Sequence, residues 1–132
     1  MKFKTLMMIK AAVCLVLGLP ILLVPEFFYG LFGATLAAGG IFAAREYGAS
    51  LMGNLLVTWF ARNAGQSQAR WAIILGLCIY DAIGFVITLI ATLTGVLNPL
   101  GWSAVVLYLF FAVGFGYFLV KSPKPEAHPS PA

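Results

Sequence analysis

One carboxylic acid, Asp81, lies deep inside a long apolar run of the chain, where a charge is energetically unfavourable. Asp81 follows the start of the apolar run at Trp71 by ten residues, which is about 15 Å along a helix that rises about 1.5 Å per residue. That is half the thickness of a hydrocarbon core of about 30 Å. A charged Asp at such a depth costs roughly 2.5–3.5 kcal/mol on insertion scales. Asp81 is therefore the residue around which a functional site is predicted.

Helical spacing predicts the surroundings of Asp81. Residues three and four positions apart from it make a small and polar stripe, and the other faces of the run carry Ile, Leu and Val. The stripe consists of Cys78, Asp81, Gly84, Thr88 and Thr92. Small residues mark the places where membrane helices approach closely. We therefore expect Asp81 to face protein and not lipid.

Two other apolar runs offer partners at the depth of Asp81. Ser50 and Tyr108 fall near the same level, so a cluster of these three residues is predicted, with Asn54 toward the inner side and Tyr80 as an alternative partner. A second polar stripe, of Glu46, Ser50, Gly53 and Asn54, matches the first. The full set of candidate site residues is Asp81, Ser50, Asn54, Tyr108, Tyr80, Arg45 and Glu46.

Arg45 admits two interpretations. It lies about six residues, or roughly 9 Å, further out than Asp81, so its long side chain can lean inward toward the carboxyl, directly or through water. Alternatively, it snorkels to the outer headgroups. The whole cluster likewise has two interpretations. A protonated Asp81 bonded to Tyr108 or Ser50 would hold helices together, whereas an accessible one would serve as a proton, ion or ligand site.

Catalysis, metal binding and cofactor chemistry are not predicted. Glu26, Glu46 and Asp81 lie on different levels, and the one histidine, His128, lies in the tail. Cys14 and Cys78 are deep inside apolar stretches without CxxC spacing, which favours small apolar core residues. We therefore expect a protein that is not an enzyme and that has no metal site and no cofactor.

The amino-acid composition of the chain is compatible with only a few classes of protein. The chain has 132 residues, of which 62% are hydrophobic and only 9% are charged. A soluble domain carries about 25% charged residues, so this chain could not cover itself with a polar surface. The net charge of +4 comes mostly from Lys and Arg at the edges of apolar runs, which indicates membrane topology and not nucleic-acid binding. An integral membrane protein surrounded by lipids is predicted.

The chain contains four runs long enough to span a bilayer, which takes about 20 residues. Because backbone groups in lipid must bond within the segment, we predict an all-α, polytopic bundle of four transmembrane helices. The predicted helices are 6–24, 41–61, 71–93 and 101–120, in a transmembrane domain of residues 1–120. Residues 121–132 hold four prolines and are predicted to be a disordered cytoplasmic tail.

The segments that connect the predicted helices differ in sequence. Gly95–Gly101, with Pro99 inside it, predicts a tight turn between the last two helices. The aromatic segment Glu26–Gly33 is expected to lie in the headgroup region. The first apolar run is followed by bulky residues instead of a small-residue cleavage site, so a retained helix is predicted and not a cleaved signal peptide.

Orientation follows from the basic residues. With four helices, both termini and the Arg62–Arg70 loop share one side, and that side carries most of the Lys and Arg, with Lys10 able to snorkel toward it. The positive-inside rule makes it cytoplasmic. Aromatic residues fall at both predicted interfaces, where amphipathic rings are favoured: Trp59, Trp71 and Tyr117 inside, and Phe27, Tyr29 and Trp102 outside.

Four short motifs carry a family resemblance. They read Pro25-Glu-x-x-x-x-Leu31-Phe-Gly33, Arg45-x-x-Gly48-Ala, Trp59-x-Ala-Arg62 and Arg70-x-Ala72-Ile-x-Leu-Gly76. In this layout the chain resembles small four-helix bacterial integral membrane proteins of unknown function. The resemblance implies a multi-pass protein of the bacterial plasma (inner) membrane, and it carries no activity with it.

Three functions compete on this basis. The first is a non-enzymatic accessory or helix-packing and lipid-binding module of a larger membrane complex. The second is a small homo-oligomeric transporter, or a proton- or ion-coupled carrier, that uses Asp81. The third is a binding site for an apolar ligand such as a quinone, isoprenoid or sterol-like lipid, since such ligands use apolar pockets with few polar groups. None of the three involves nucleic acid.

Overall fold

The fold is all-α, as predicted. A computed structural model describes residues 1–122 and 124–126, and within them it contains five α-helices and no strand. The helices are α1 (Phe3–Leu23), α2 (Pro25–Leu31), α3 (Ala38–Ala61), α4 (Gln68–Leu93) and α5 (Gly101–Lys121). The predicted tail, residues 121–132, lies largely outside the described residues.

The four long helices correspond to the four apolar runs, but the first three begin three residues earlier than predicted. Hydropathy finds the apolar body of a helix and misses a polar first turn. At α4, for example, the Ser67 hydroxyl accepts a hydrogen bond from the backbone N–H of Arg70 at 3.1 Å. This N-cap starts the helix before the apolar run begins.

The segment expected to lie in the headgroup region as a connection is a short helix, α2. Pro25 stands in its first turn, where a missing N–H leaves no bond unmade. Glu26, also in the first turn, places a negative charge at the positive end of the helix dipole. The Phe27 side chain is 67% exposed, so the helix presents an aromatic outer surface.

Three of the described helices, α1, α4 and α5, are long and apolar enough to cross a membrane. The remaining long helix, α3, is also 24 residues in length. It is less apolar because Arg45, Glu46 and Asn54 lie along it. The coarse prediction of a membrane protein with apolar spanning helices is therefore confirmed.

The long helices pack as two antiparallel pairs, α1 with α3 and α4 with α5. In the first pair, Gly18 lies against Leu51 and Gly48 lies against Leu22, so the contacts run in opposite directions along the two helices. In the second pair, Gly84 lies directly under the Tyr108 ring. Contacts between the pairs are fewer and pass mainly through α1 and α5.

Two apolar cores correspond to this arrangement. One core joins α1 to the α4–α5 pair and consists of Leu6, Met7, Ile74, Leu77, Phe111 and Phe115. The other joins α1 to α3 and consists of Cys14, Ile21, Ala44 and Leu51. Helix α1 contributes to both cores, so it is the element through which the two pairs are held together.

The N-terminus, the α3–α4 loop and the end of α5 meet at one end of the bundle. The Arg70 guanidinium lies 4.1 Å from the centre of the Phe3 ring, and that ring packs edge-on against Phe118. The Gln66 amide donates to the Ser122 hydroxyl at 3.2 Å. Basic, aromatic and polar side chains thus hold three separate parts of the chain together at this end.

The close approach of α1 and α3 at Gly48 generates a stability prediction. A Cβ there would lie 2.6 Å from the Leu22 backbone nitrogen and 2.8 Å from its Cα, and backbone atoms cannot move aside as a flexible side chain can. We expect Gly48→Ala to lower the free energy of unfolding in detergent by about 1–3 kcal/mol. The measurement is a denaturation curve followed by tryptophan fluorescence.

Gly53→Ala is the matched control on the same helix, because a Cβ at that position would have no neighbouring atom within 4 Å. It should be neutral or stabilising by up to about 1 kcal/mol, since Ala is the better helix former. Equal effects of the two substitutions would contradict the close packing of α1 on α3.

Candidate functional site

An ion pair lies in the interior of the bundle. The Lys10 ammonium on α1 donates to Oδ1 of Asp81 on α4. Both residues are buried, with 3% of Lys10 and none of Asp81 exposed. Two opposite charges removed from water together in this way satisfy each other, whereas either alone would be strongly unfavourable. Asp81 is thus at an interior site between helices, and its partner, Lys10, was not among the predicted site residues.

Aromatic rings complete the surroundings of the ammonium group. Lys10 Nζ lies 4.5 Å from the centre of the Phe111 ring and 5.2 Å from that of Tyr80. The negative faces of such rings attract a cation, most strongly where water is excluded. Helices α1, α4 and α5 all contribute to this one charge cluster.

The prediction that Lys10 snorkels toward the inner surface is wrong. The buried positions of α1 recur every three or four residues: Leu6, Met7, Lys10, Ala11, Cys14, Gly18 and Ile21. Lys10 belongs to that face, so its side chain is directed into the bundle. The signal was present in the sequence, since Lys10 shares its helical stripe with the small residues Cys14 and Gly18.

Three tyrosines lie around the ion pair. The hydroxyls of Tyr47 on α3 and Tyr108 on α5 share a hydrogen bond that bridges the two helix pairs. The Tyr80 and Tyr108 rings are 6.5 Å apart, centre to centre. Within the described part of the chain, the buried Tyr80 hydroxyl has no hydrogen-bond partner. Tyr47 was not among the predicted site residues, although it follows Glu46 directly.

A cavity of about 350 Å³ lies between the two helix pairs. Lys10, Asp81 and the three tyrosines lie along it, Tyr29, Thr88 and Ser103 add further hydroxyl groups to its lining, and its remaining walls are apolar. These include Val13, Cys14, Leu17, Ile21, Phe28, Phe32, Leu51, Leu97, Leu107 and Phe111. The cavity can therefore hold a molecule with an apolar body and orient it by a polar group.

Helix α2 and the turn between α4 and α5 line the end of the cavity away from the ion pair. The Asn98 backbone N–H donates to the Phe32 carbonyl at 2.8 Å, and its side-chain amide donates to the Leu31 carbonyl at 2.9 Å. Gly33, with φ of 77°, turns the chain beside Asn98 in a conformation that favours glycine. Asn98 thus links the two helix pairs at this end.

The structure brings together only some of the predicted site residues. Asp81, Tyr80 and Tyr108 all lie along the cavity. Ser50, Arg45 and Glu46 are exposed on the outer face of α3. Asn54 is half-buried and away from the cavity lining, and its amide nitrogen has no hydrogen-bond partner among the described residues.

The reason lies in the rotation of α3. Its buried positions are Ala44, Gly48, Leu51 and Thr58, a spacing of three, four and seven residues that marks the inward face. Ser50 and Glu46 are rotated away from that face. Counting residues along a helix predicts a side chain's depth, but the direction in which the side chain points depends on which face of the helix packs.

The described residues contain no group of three or more His, Cys, Asp or Glu side chains placed to hold a metal ion. Comparisons of the chain with protein-family models, curated proteins and solved structures found no match. The chemistry of the site therefore has to be inferred from its own geometry: one buried ion pair, three tyrosines and an apolar cavity.

The buried ion pair predicts a strong energetic coupling. Lys10→Met leaves the Asp81 carboxylate without its counter-charge, and Asp81→Asn does the same to the ammonium. We expect each to lower the free energy of unfolding in detergent by roughly 3–5 kcal/mol, and the double variant to lose much less than the sum. Denaturation curves of the four proteins measure the coupling.

Lys121→Met serves as the control, because the Lys121 ammonium is exposed and donates, among the described residues, to the Tyr117 hydroxyl at 2.7 Å. Its effect should stay within about 0.5 kcal/mol. Strictly additive effects of Lys10→Met and Asp81→Asn would show that the two charges do not interact.

Proposed function

We propose that α1, α3, α4 and α5 all span the bacterial plasma membrane, with both termini cytoplasmic. At about 1.5 Å per residue, the 24 residues of α3 extend over about 36 Å, which exceeds a hydrocarbon core of about 30 Å. Its pairing with α1 along the helix also supports this assignment. The basic residues gathered at the end that holds the start of α1, the α3–α4 loop and the end of α5 support a cytoplasmic location for that end.

We propose further that the protein is a non-enzymatic binding module for an apolar ligand with a polar group, such as a quinone, an isoprenoid or a sterol-like lipid. The observation that carries this proposal is the interior cavity of about 350 Å³. Ligand pockets have volumes of about 300–1,000 Å³ and combine apolar walls with a few placed polar groups. This cavity fits that description at the small end of the range.

The distribution of polar groups supports a fixed orientation of the ligand. The charges of Lys10 and Asp81 lie at one end of the cavity, and Phe28, Phe32 and Leu97 lie at the other. A polar head would bind beside the ion pair, because the two charges and the Tyr80 hydroxyl offer it more hydrogen bonds there than Tyr29 does among the rings of α2. The tail would extend toward α2.

The outer face of α3 supports a role within a larger assembly. Arg45, Glu46 and Ser50 are exposed there, and polar side chains facing lipid are unfavourable. Association with a second copy or with another membrane protein would cover them, as expected for an accessory module. The presence of both a positive and a negative charge on this face is compatible with self-association.

The cavity proposal predicts a bound ligand that a bulkier wall would displace. Ala104 lies in the cavity wall on α5, and Ala104→Trp fills the space with an indole ring. We expect native mass spectrometry of the wild-type protein, purified from membranes in mild detergent, to find one apolar small molecule per chain. The variant should retain at least tenfold less.

Ala72→Trp is the matched control, since Ala72 is exposed on α4 and does not line the cavity. It should keep the ligand. If wild-type protein carries no stoichiometric small molecule, or if both Trp variants lose it equally, the cavity is not the binding site.

A small homo-oligomeric carrier coupled to protons or ions is the second candidate. It is favoured by the position of the Asp81 carboxylate, which lines a cavity near the predicted membrane midplane. Titratable groups at that depth mark ion and proton pathways in many transporters. Four helices enclose little volume, so an oligomer would be required.

A flux measurement tests the carrier. In proteoliposomes that contain a pH-sensitive dye, wild-type protein should dissipate a proton gradient faster than empty vesicles do, and Asp81→Asn should abolish the excess rate. Glu46→Gln, which alters an exposed acid outside the cavity, should leave the rate unchanged. Equal rates for wild-type protein and the folded Asp81→Asn variant would exclude carriage through Asp81.

A further inference from the structure

Two buried polar atoms beside the cavity lack hydrogen-bond partners. They are Oδ2 of Asp81, whose Oδ1 accepts from Lys10, and the hydroxyl of Tyr80, the preceding residue in the chain. This holds for the described part of the chain, and both residues line the cavity. Buried polar groups are nearly always satisfied in folded proteins, and Asp81 is fully buried. The two atoms therefore indicate a polar group of a ligand at this end.

The charges of Lys10 and Asp81 restrict the chemistry of the ligand's polar group. An anionic head would lie against the Asp81 carboxylate, and a cationic head would lie against the Lys10 ammonium, so like charges would meet in either case. The existing pair already neutralises itself, and a further buried charge would have no partner. The head group that fits is uncharged.

The hydrogen-bonding capacities of Asp81 and Tyr80 further restrict the polar group that the ligand can have. An ionised carboxylate only accepts hydrogen bonds, whereas a tyrosine hydroxyl both donates and accepts. The ligand must therefore donate to Asp81 Oδ2 and can accept from Tyr80. A hydroxyl group has both capacities, since it donates one hydrogen bond and accepts others. A ketone, quinone or ether oxygen accepts only, and it would leave Oδ2 unsatisfied.

The volume and the apolar walls of the cavity restrict the remaining, apolar part of the ligand. A volume of about 350 Å³ is near the lower limit for ligand sites, so it suits a single apolar chain better than a lipid with two. The walls between the ion pair and α2 include Leu17, Ile21 and Leu107. These offer an apolar path for such a chain.

We propose that the cavity binds a neutral lipid alcohol with a single apolar tail, with its hydroxyl bonded to Asp81 Oδ2 and Tyr80 and its tail directed toward α2. This inference rests on the proposed function, since it names the class of ligand for the same cavity. It separates lipid alcohols from quinones and from lipid phosphates, which share their apolar tails.

Binding of tritiated farnesol, an isoprenoid alcohol, to the full-length protein in detergent micelles tests the assignment. Equilibrium dialysis should give saturable binding with one site per chain, and unlabelled farnesol should compete. Farnesyl methyl ether, which cannot donate, should compete about tenfold or more less well. Farnesyl phosphate, which adds negative charge beside Asp81, should compete less well by a similar or larger factor.

A tyrosine variant probes the head-group contacts without disturbing a bond of the folded protein. Tyr80→Phe removes a hydroxyl that has no partner among the described residues, and it should weaken the alcohol and the ether alike by roughly three- to tenfold. The preference for the alcohol should persist, because Asp81 determines it. Tyr117→Phe is the matched control, since that hydroxyl lies outside the cavity and bonds Lys121 within the described part of the chain.

The outcomes separate this inference from the proposed function. If the ether or the phosphate competes as well as the alcohol, a hydroxyl head is overturned while an apolar ligand in the cavity remains supported. If a quinone co-purifies with wild-type protein and farnesol does not displace it, the same conclusion holds. If no probe binds saturably and no small molecule co-purifies with the folded protein, both proposals fail together.

Discussion

The rest of the structure depends on the burial of two opposite charges inside an apolar bundle. Lys10 and Asp81 are tolerated there only as a pair, because an unpaired charge without water is far less stable. The pair joins α1 to α4, two helices that otherwise belong to different packing pairs. Phe111 of α5 lies against the same ammonium. This electrostatic contact acts together with the Tyr47–Tyr108 and Asn98 hydrogen bonds in joining the two halves of the molecule, and it places the polar end of the cavity.

Much of the fold could be predicted from hydropathy, for a physical reason. In lipid a spanning segment must satisfy its own backbone, so apolar runs of sufficient length become helices whatever their detailed sequence. The short helix α2 could not be predicted in this way. Its seven residues are too few to show a helical periodicity, and its start depends on Pro25. The prediction that Asp81 faces protein follows from the same logic, because the cost of exposing it to lipid is large.

The partner of Asp81 could not be predicted by depth alone. Residue counting predicts Ser50 near the level of Asp81, but it does not determine the rotation of α3, and the structure exposes Ser50. Lys10 was expected to be able to snorkel toward the surface, because lysines near helix ends often extend to headgroups. Its position on the small-residue face of α1, with Cys14 and Gly18, argues the opposite. The facing direction of a helix depends on close-packed small residues, which hydropathy does not measure.

The separation of the ion pair along the chain has a consequence for biogenesis. Lys10 precedes Asp81 by 71 residues, so a ribosome delivers the lysine well before its partner exists. Until α4 is made, α1 carries an unmatched charge on the face that later becomes the core. The contact between the two helix pairs at this point therefore forms only after the third long helix has been synthesised, although one of its two charges is present from the start.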